Sequence, residues 1–129
     1  MTTSRIYDYV LGGKDNYAAD RAEAERLVAI YPQLPRLARH NRLFLVRAVT
    51  WLAGRGIRQF LDIGCGLPTA QNTHQIAQAA RSDCRVAYVD SDPVVVTHAR
   101  ALLSGAGVTA VPGDLADRPP SWPIPPWDH

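Results

Sequence analysis

Three times in this chain a short apolar run ends in a carboxylate at a turn. Phe60-Leu61-Asp62 leads into Ile63-Gly64-Cys65-Gly66-Leu67-Pro68-Thr69, Tyr88-Val89-Asp90 into Ser91-Asp92-Pro93, and residues 108–111 into Gly113-Asp114-Leu115. The runs 59–63, 86–89 and 108–111 read as strands, with helical segments over 69–80 and 93–104 between them. Strands alternating with helices of that length indicate a parallel sheet with right-handed crossovers, an α/β fold. In such a sheet the carboxyl ends of the strands lie side by side, so the three acids converge on one edge.

The first turn carries the glycines. Where a strand turns sharply into a helix and its backbone must approach a ligand, a Cβ at Gly64 or Gly66 would obstruct one or both requirements. Pro68 suits the first turn of the following helix, where its missing N–H is not needed. A dinucleotide fingerprint would place a third glycine at position 69, which is Thr69, so the turn fits an adenosine without a diphosphate better than a dinucleotide. Asp90 stands 24 residues beyond Gly66, near the offset at which a strand-end acid reaches ribose hydroxyls. Asp92, just before Pro93, reads instead as a helix N-cap.

Before the first strand the chain is helical, with one helix over 18–31 started by Asp15 or Asn16 and stopped by Pro32. A second helix over 37–53 is expected to carry Leu37, Phe44, Ala48, Trp51 and Leu52 on one face and Arg39, Arg42 and Arg47 on the other, and to end at Gly54 and Gly56. No acid occurs between Glu25 and Asp62, whereas seven arginines do, an excess larger than the net charge of +2. We read this as a solvated helix face whose arginine stems cover apolar neighbours, and nucleic acid is not expected as a partner. The 129 residues, 47% of them hydrophobic, suffice for one domain with a core and not for two. The polar start and the lack of a long apolar run predict a cytoplasmic protein without membrane contact. Cys65 and Cys84 form no Cys-x-x-Cys unit and the four histidines are scattered, so neither a redox pair nor a metal site is expected.

The run Ile57-Arg-Gln-Phe-Leu-Asp-Ile-Gly-Cys-Gly-Leu-Pro-Thr69, with Arg5-Ile-Tyr-Asp-Tyr-Val-Leu-Gly-Gly-Lys-Asp-Asn-Tyr17 ahead of it, resembles a bacterial family of S-adenosylmethionine-dependent methyltransferases from about Arg5 to Asp117. The resemblance implies a Rossmann-like class I methyltransferase fold with S-adenosylmethionine as cofactor and an unknown methyl acceptor. Carried over residue by residue, it makes Asp62, Gly64 and Gly66 the loop at the methionine end. Asp90 would hold the ribose hydroxyls with Ser91 beside it, and Asp114 and the Leu115 N–H would meet the adenine. Tyr9 and Lys14 would close the site from an amino-terminal cover in which Tyr7, Tyr17 and Arg5 also stand, Lys14 or Arg5 pairing with the methionine carboxylate. Asp8, Asp15 and Tyr9 are each able to act as a base, and no spacing selects one, so no catalytic residue is assigned.

The expected organisation is an amino-terminal helical segment over 1–56, a cofactor-binding half-domain over 57–117, and a Pro-rich tail over 118–129 with five prolines. Full domains of the class have seven strands in the order 3-2-1-4-5-7-6, and three are legible here. The resemblance thus describes an amino-terminal half, truncated before the acceptor-binding part, whose first strand keeps a free edge open to self-association. Two other readings stand beside it: a nicotinamide-dependent oxidoreductase fragment, and a non-enzymatic binding module using the arginine-rich helix face.

Overall fold

The computed structural model describes residues 2–103 and 105–116 and divides into two compact units, Met1–Ala48 and Val49–His129. The Pro-rich tail of the sequence reading lies outside the described residues.

The amino-terminal unit holds α1 (Thr3–Val10), α2 (Ala18–Ile30) and the larger part of α3 (Leu34–Gly54). Sequence periodicity did not reveal α1, which is only two turns long. Its signal is the Gly12-Gly13 pair: Gly12 takes a left-handed φ of +83°, and the N–H groups of Gly12 and Gly13 return to the carbonyls of Tyr9 and Asp8, closing the helix as glycine C-caps do. At the start of α2, Tyr17 occupies the N-cap in place of the expected Asp15 or Asn16. The reason is Asp20, three residues on, whose carboxylate accepts from the Tyr17 N–H at 3.1 Å, the Thr2 N–H at 3.1 Å and Arg5 Nε at 2.9 Å. Burial alone would raise the Asp20 carboxyl; the donors from Tyr17, Arg5 and Thr2 outweigh it and hold it below its ordinary value. Asn41 Nδ2 donates to the Tyr7 hydroxyl at 3.2 Å, which donates to the Ala38 carbonyl at 3.4 Å, tying α1 to α3.

The inward face of α3 differs from expectation. Ala38, Val49 and Ala53 are buried, whereas Leu37, Phe44 and Trp51, taken from the sequence as the core face, are exposed. Small side chains let a helix approach its neighbours closely, and their weak apolar weight hides them from a pattern read on bulky residues. The helix ends where Gly56, at φ +101°, sends its N–H to Ala53 while Ile57 sends its own to Leu52, the paired return bonds of a Schellman cap.

The second unit carries a three-stranded parallel sheet in the order β1 (Gln59–Ile63), β2 (Arg85–Asp90), β3 (Val108–Pro112). Between the strands run α4 (Thr73–Ala80) and α5 (Pro93–Leu102). The α/β class and the three-strand count thus match the sequence reading. The middle strand is buried from Val86 to Asp90, as a strand flanked on both edges requires. Register aligns Ile63 with Val89 and Asp90 with Pro112. The three strands therefore end level with one another.

Helix α4 begins four residues later than its sequence signal, so Pro68 lies in the preceding loop and not in a helical first turn. Asn72 takes the start instead. Its N–H is received by Gln75 Oε1 at 2.8 Å, and its side chain pins Thr69 on both sides, accepting from the N–H at 2.8 Å and donating to the carbonyl at 2.7 Å.

A candidate cofactor site at the strand ends

Beyond the strands the ladder continues into the turns. The N–H groups of Gly64 and Cys65 donate to the Val89 carbonyl at 2.7 and 3.2 Å, and the Gly113 N–H donates to the Asp90 carbonyl at 3.0 Å. These bonds hold the three turns of the sequence reading next to each other, so Asp62, Gly64, Gly66, Asp90, Ser91, Asp114 and Leu115 do come to one end of the sheet.

Asp90 is the centre of the arrangement. It is 8% exposed, and its carboxylate bridges two turns, Oδ2 accepting from the Gly66 N–H at 3.0 Å and Oδ1 from the Asp92 N–H at 2.9 Å. A carboxylate offers about four acceptor positions, so two backbone donors leave room for a pair of hydroxyls. Asp92 is the N-cap of α5, its side chain accepting from Val94 at 2.9 Å, as the sequence indicated. Ser91 is exposed beside it.

Gly64 and Gly66 have φ of +69° and +68°, and nothing lies within 4 Å of where a Cβ would stand on either. Backbone conformation, not crowding, therefore demands glycine here, and the space above the loop is open to a ligand. Cys65 between them is half-buried, with two acids near it. Burial first, then the charges of Asp62 and Asp90, push its thiol up to about 12, so it is a filler and not a nucleophile.

Asp62 turns to the side. Its Oδ2 receives the Thr73 hydroxyl at 2.6 Å, fastening the end of β1 to the first residue of α4. The buried Tyr88 does the same from β2: its hydroxyl receives the His74 N–H at 2.8 Å and lies 2.8 Å from His74 Nδ1. Burial lowers the basicity of that imidazole, which suits an Nδ1 that accepts the Tyr88 proton. Thr73, His74, Tyr88 and Asn72 escaped sequence reasoning because none is an unusual residue; only their pairing with strand ends gives them a role. Just past the end of β3, Asp114 is exposed, with Oδ1 accepting from the Ala116 N–H at 2.9 Å, and Leu115 is largely exposed beside it.

Tyr9 and Lys14 belong to the amino-terminal unit. The Tyr9 hydroxyl donates to Glu25 Oε1 at 3.0 Å, and that bond with the Glu25 charge raises the phenol, which is no longer suited to act as a base. Asp8 is also taken: its Oδ2 accepts from the Asp15 N–H at 2.9 Å and from Asn16 Nδ2 at 2.8 Å, and a side chain at Gly13 would collide with it. Arg5 is held by Asp20. Of this group, Lys14 is exposed on the loop that Asp8 organises.

Residues 1–119 match the model of a family described as S-adenosyl methyltransferase. The chain belongs to this S-adenosyl methyltransferase family. Among solved structures it is similar to a "putative methyltransferase" from Thermobifida fusca YX, at 51% identity and a TM-score of 0.83 over 88% of this chain and 43% of the other. It is also similar to a DUF574 family protein from Streptomyces avermitilis MA-4680, at 45% identity and a TM-score of 0.82 over 88% of this chain and 45% of that one. The chain spans less than half the length of the two structures. Comparison with curated proteins finds no match. Within the S-adenosyl methyltransferase family, then, this chain carries the part with the glycine turn and the three strand-end acids. Among the described residues no group of three His, Cys, Asp or Glu could hold a metal, and no helix is long and apolar enough to cross a membrane.

Proposed function

We propose that the second unit binds S-adenosylmethionine across the ends of β1, β2 and β3, and that the chain is the cofactor-binding, amino-terminal half of a cytoplasmic bacterial methyltransferase. The observation that carries this reading is Asp90, a buried carboxylate with two backbone donors in place and acceptor capacity left for a ribose diol. When bound, the cofactor supplies a methyl group already activated by its sulfonium. The chain's residues hold and orient. Gly64 and Gly66 keep the loop low, Asp90 grips the ribose, and Asp114 accepts from the adenine amino group while the Leu115 N–H meets a ring nitrogen. Ser91 flanks the ribose acid, and Asp62 reaches the methionine end only through the loop it anchors. The acceptor is left open. The two free thiols, Cys65 and Cys84, accord with a reducing compartment.

Charge and local structure both disfavour a nicotinamide dinucleotide. Three carboxylates at the strand ends attract a cationic sulfonium and repel a diphosphate. In dinucleotide folds the diphosphate rests on the N-terminus of the helix after the glycine turn; here that turn is separated from α4 by a loop, and the His74 N–H is already given to Tyr88. Calorimetric titration with S-adenosylhomocysteine, with NAD as control, tests the reading. Saturable binding of the first alone is expected, weakened in Asp90→Ala; no heat from a chain shown by circular dichroism to be folded would overturn it.

A further inference from the structure

Between Gly66, whose N–H donates to Asp90 at 3.0 Å, and Thr73, whose hydroxyl donates to Asp62 at 2.6 Å, residues 67–72 run in irregular backbone. Both anchors of this span are strand-end acids. Its middle is held at Thr69 by the Asn72 side chain, with Oδ1 accepting from the Thr69 N–H at 2.8 Å and Nδ2 donating to the Thr69 carbonyl at 2.7 Å. Opening a helix asks less of Asn72 than this. An N-cap needs only an acceptor, which serine, threonine or aspartate supplies as well as asparagine. Of these residues only asparagine carries a donor and an acceptor on separate atoms, and the bond from Nδ2 to the Thr69 carbonyl acts on the loop and not on the helix. Gln75 braces the amide from an exposed position, its Oε1 accepting from the Asn72 N–H at 2.8 Å and from Nδ2 at 3.1 Å.

Strand order decides which part of a ligand this loop meets. With β2 between β1 and β3, an adenosine whose ribose lies at Asp90 and whose adenine lies past β3 carries its 5′ substituent over the turn after β1. There nothing stands within 4 Å of a Cβ built on Gly64 or Gly66. We propose that Asn72 is a positioning residue for the amino-acid arm of the cofactor: by clasping Thr69 it sets the course of residues 67–72 before the ligand arrives, so that binding the arm does not carry the cost of ordering the loop. The proposal rests on the cofactor reading above and adds to it a residue that acts through Thr69 rather than by contact with the cofactor.

Calorimetric titration of the full chain and of Asn72→Ser with two probes decides the matter: S-adenosylhomocysteine, and 5′-methylthioadenosine, which keeps the adenine, ribose and sulfur and lacks the amino-acid arm. Serine still starts α4 but is too short to clasp both groups of Thr69. Expected in the variant is an S-adenosylhomocysteine affinity about tenfold weaker, the worth of the lost pair of hydrogen bonds, with 5′-methylthioadenosine held within about twofold. Should Asn72→Ser fail to fold, Gln75→Ala, a truncation at an exposed position, shows the same split at about threefold, one brace of the amide being lost. Equal weakening of both probes makes Asn72 a helix cap only and overturns the proposal, as does an unaltered S-adenosylhomocysteine affinity; both results leave the cofactor reading standing. An unsubstituted chain that binds S-adenosylhomocysteine but not 5′-methylthioadenosine overturns the proposal alone, and one that does not bind S-adenosylhomocysteine overturns the cofactor reading with it.

Discussion

At position 90 one carboxylate serves two turns, and at position 66 one peptide N–H depends on it. Removing the acid therefore has a local and a ligand-borne cost. Asp90→Ala should weaken S-adenosylhomocysteine by about 10- to 100-fold, the worth of charged hydrogen bonds to two hydroxyls, as read by calorimetry. Gly66→Ala forces a side chain into a left-handed φ and should lower stability by about 1–2 kcal/mol, measured from urea midpoints. A thiol raised to about 12 implies that alkylation of Cys65 climbs with each pH step from 7 to 9 and shows no plateau there. The strand-end place of Asp90 and the turn made by both glycines were legible in the sequence because strand-end acids and positive-φ glycines are dictated by short-range geometry. Asp62 was only half legible. Its position could be read from the chain, but its engagement with Thr73 depends on where α4 starts, and that was set by Asn72 rather than Pro68.

Among the elements, α4 shows most clearly how strand ends position the helix that comes after them. Its first two residues are fastened to β1 and β2 through Thr73 and His74, so the loop from Gly64 to Asn72 is tied at both ends. Tyr88→Phe leaves the His74 N–H without its acceptor and should cost about 1–3 kcal/mol in urea unfolding. The imidazole adds a pH dependence of known sign. Its basicity is lowered in the folded chain by burial, so the unfolded chain binds the proton more readily; this contribution is complete above the ordinary histidine value near 6.5 and is lost as pH falls below it. Urea midpoints of the protein and of His74→Ala should converge on going from pH 8 to pH 5. Strands and long helices could be read because their periods repeat, and α1 could not, two turns being too few to establish a period. The core face of α3 was misread for a different reason: burial there goes to alanines and a valine, and the large apolar residues face outward.

For the whole molecule, binding energy at the strand ends becomes stability of the second unit by mass action. S-adenosylhomocysteine at about a hundred times its dissociation constant should add about 2.7 kcal/mol, visible as a thermal shift that NAD does not produce. The arginine-rich stretch reads more quietly in the structure than in the sequence. Arg26 pairs with Glu23, Arg58 with Asp83, and Arg55 stacks on Trp51, so at least three of the seven are occupied within the chain and less of a binding face remains. Fold class was written in the order of the elements; the division at Ala48 was not, since a helix runs through it without a break in pattern. The base of the strand-end shelf is made of peptide hydrogen bonds, from Gly64 and Cys65 to Val89 and from Gly113 to Asp90. Its level is therefore fixed by atoms that every residue possesses, so a side-chain substitution around it would alter what can rest there and leave the ledge in place.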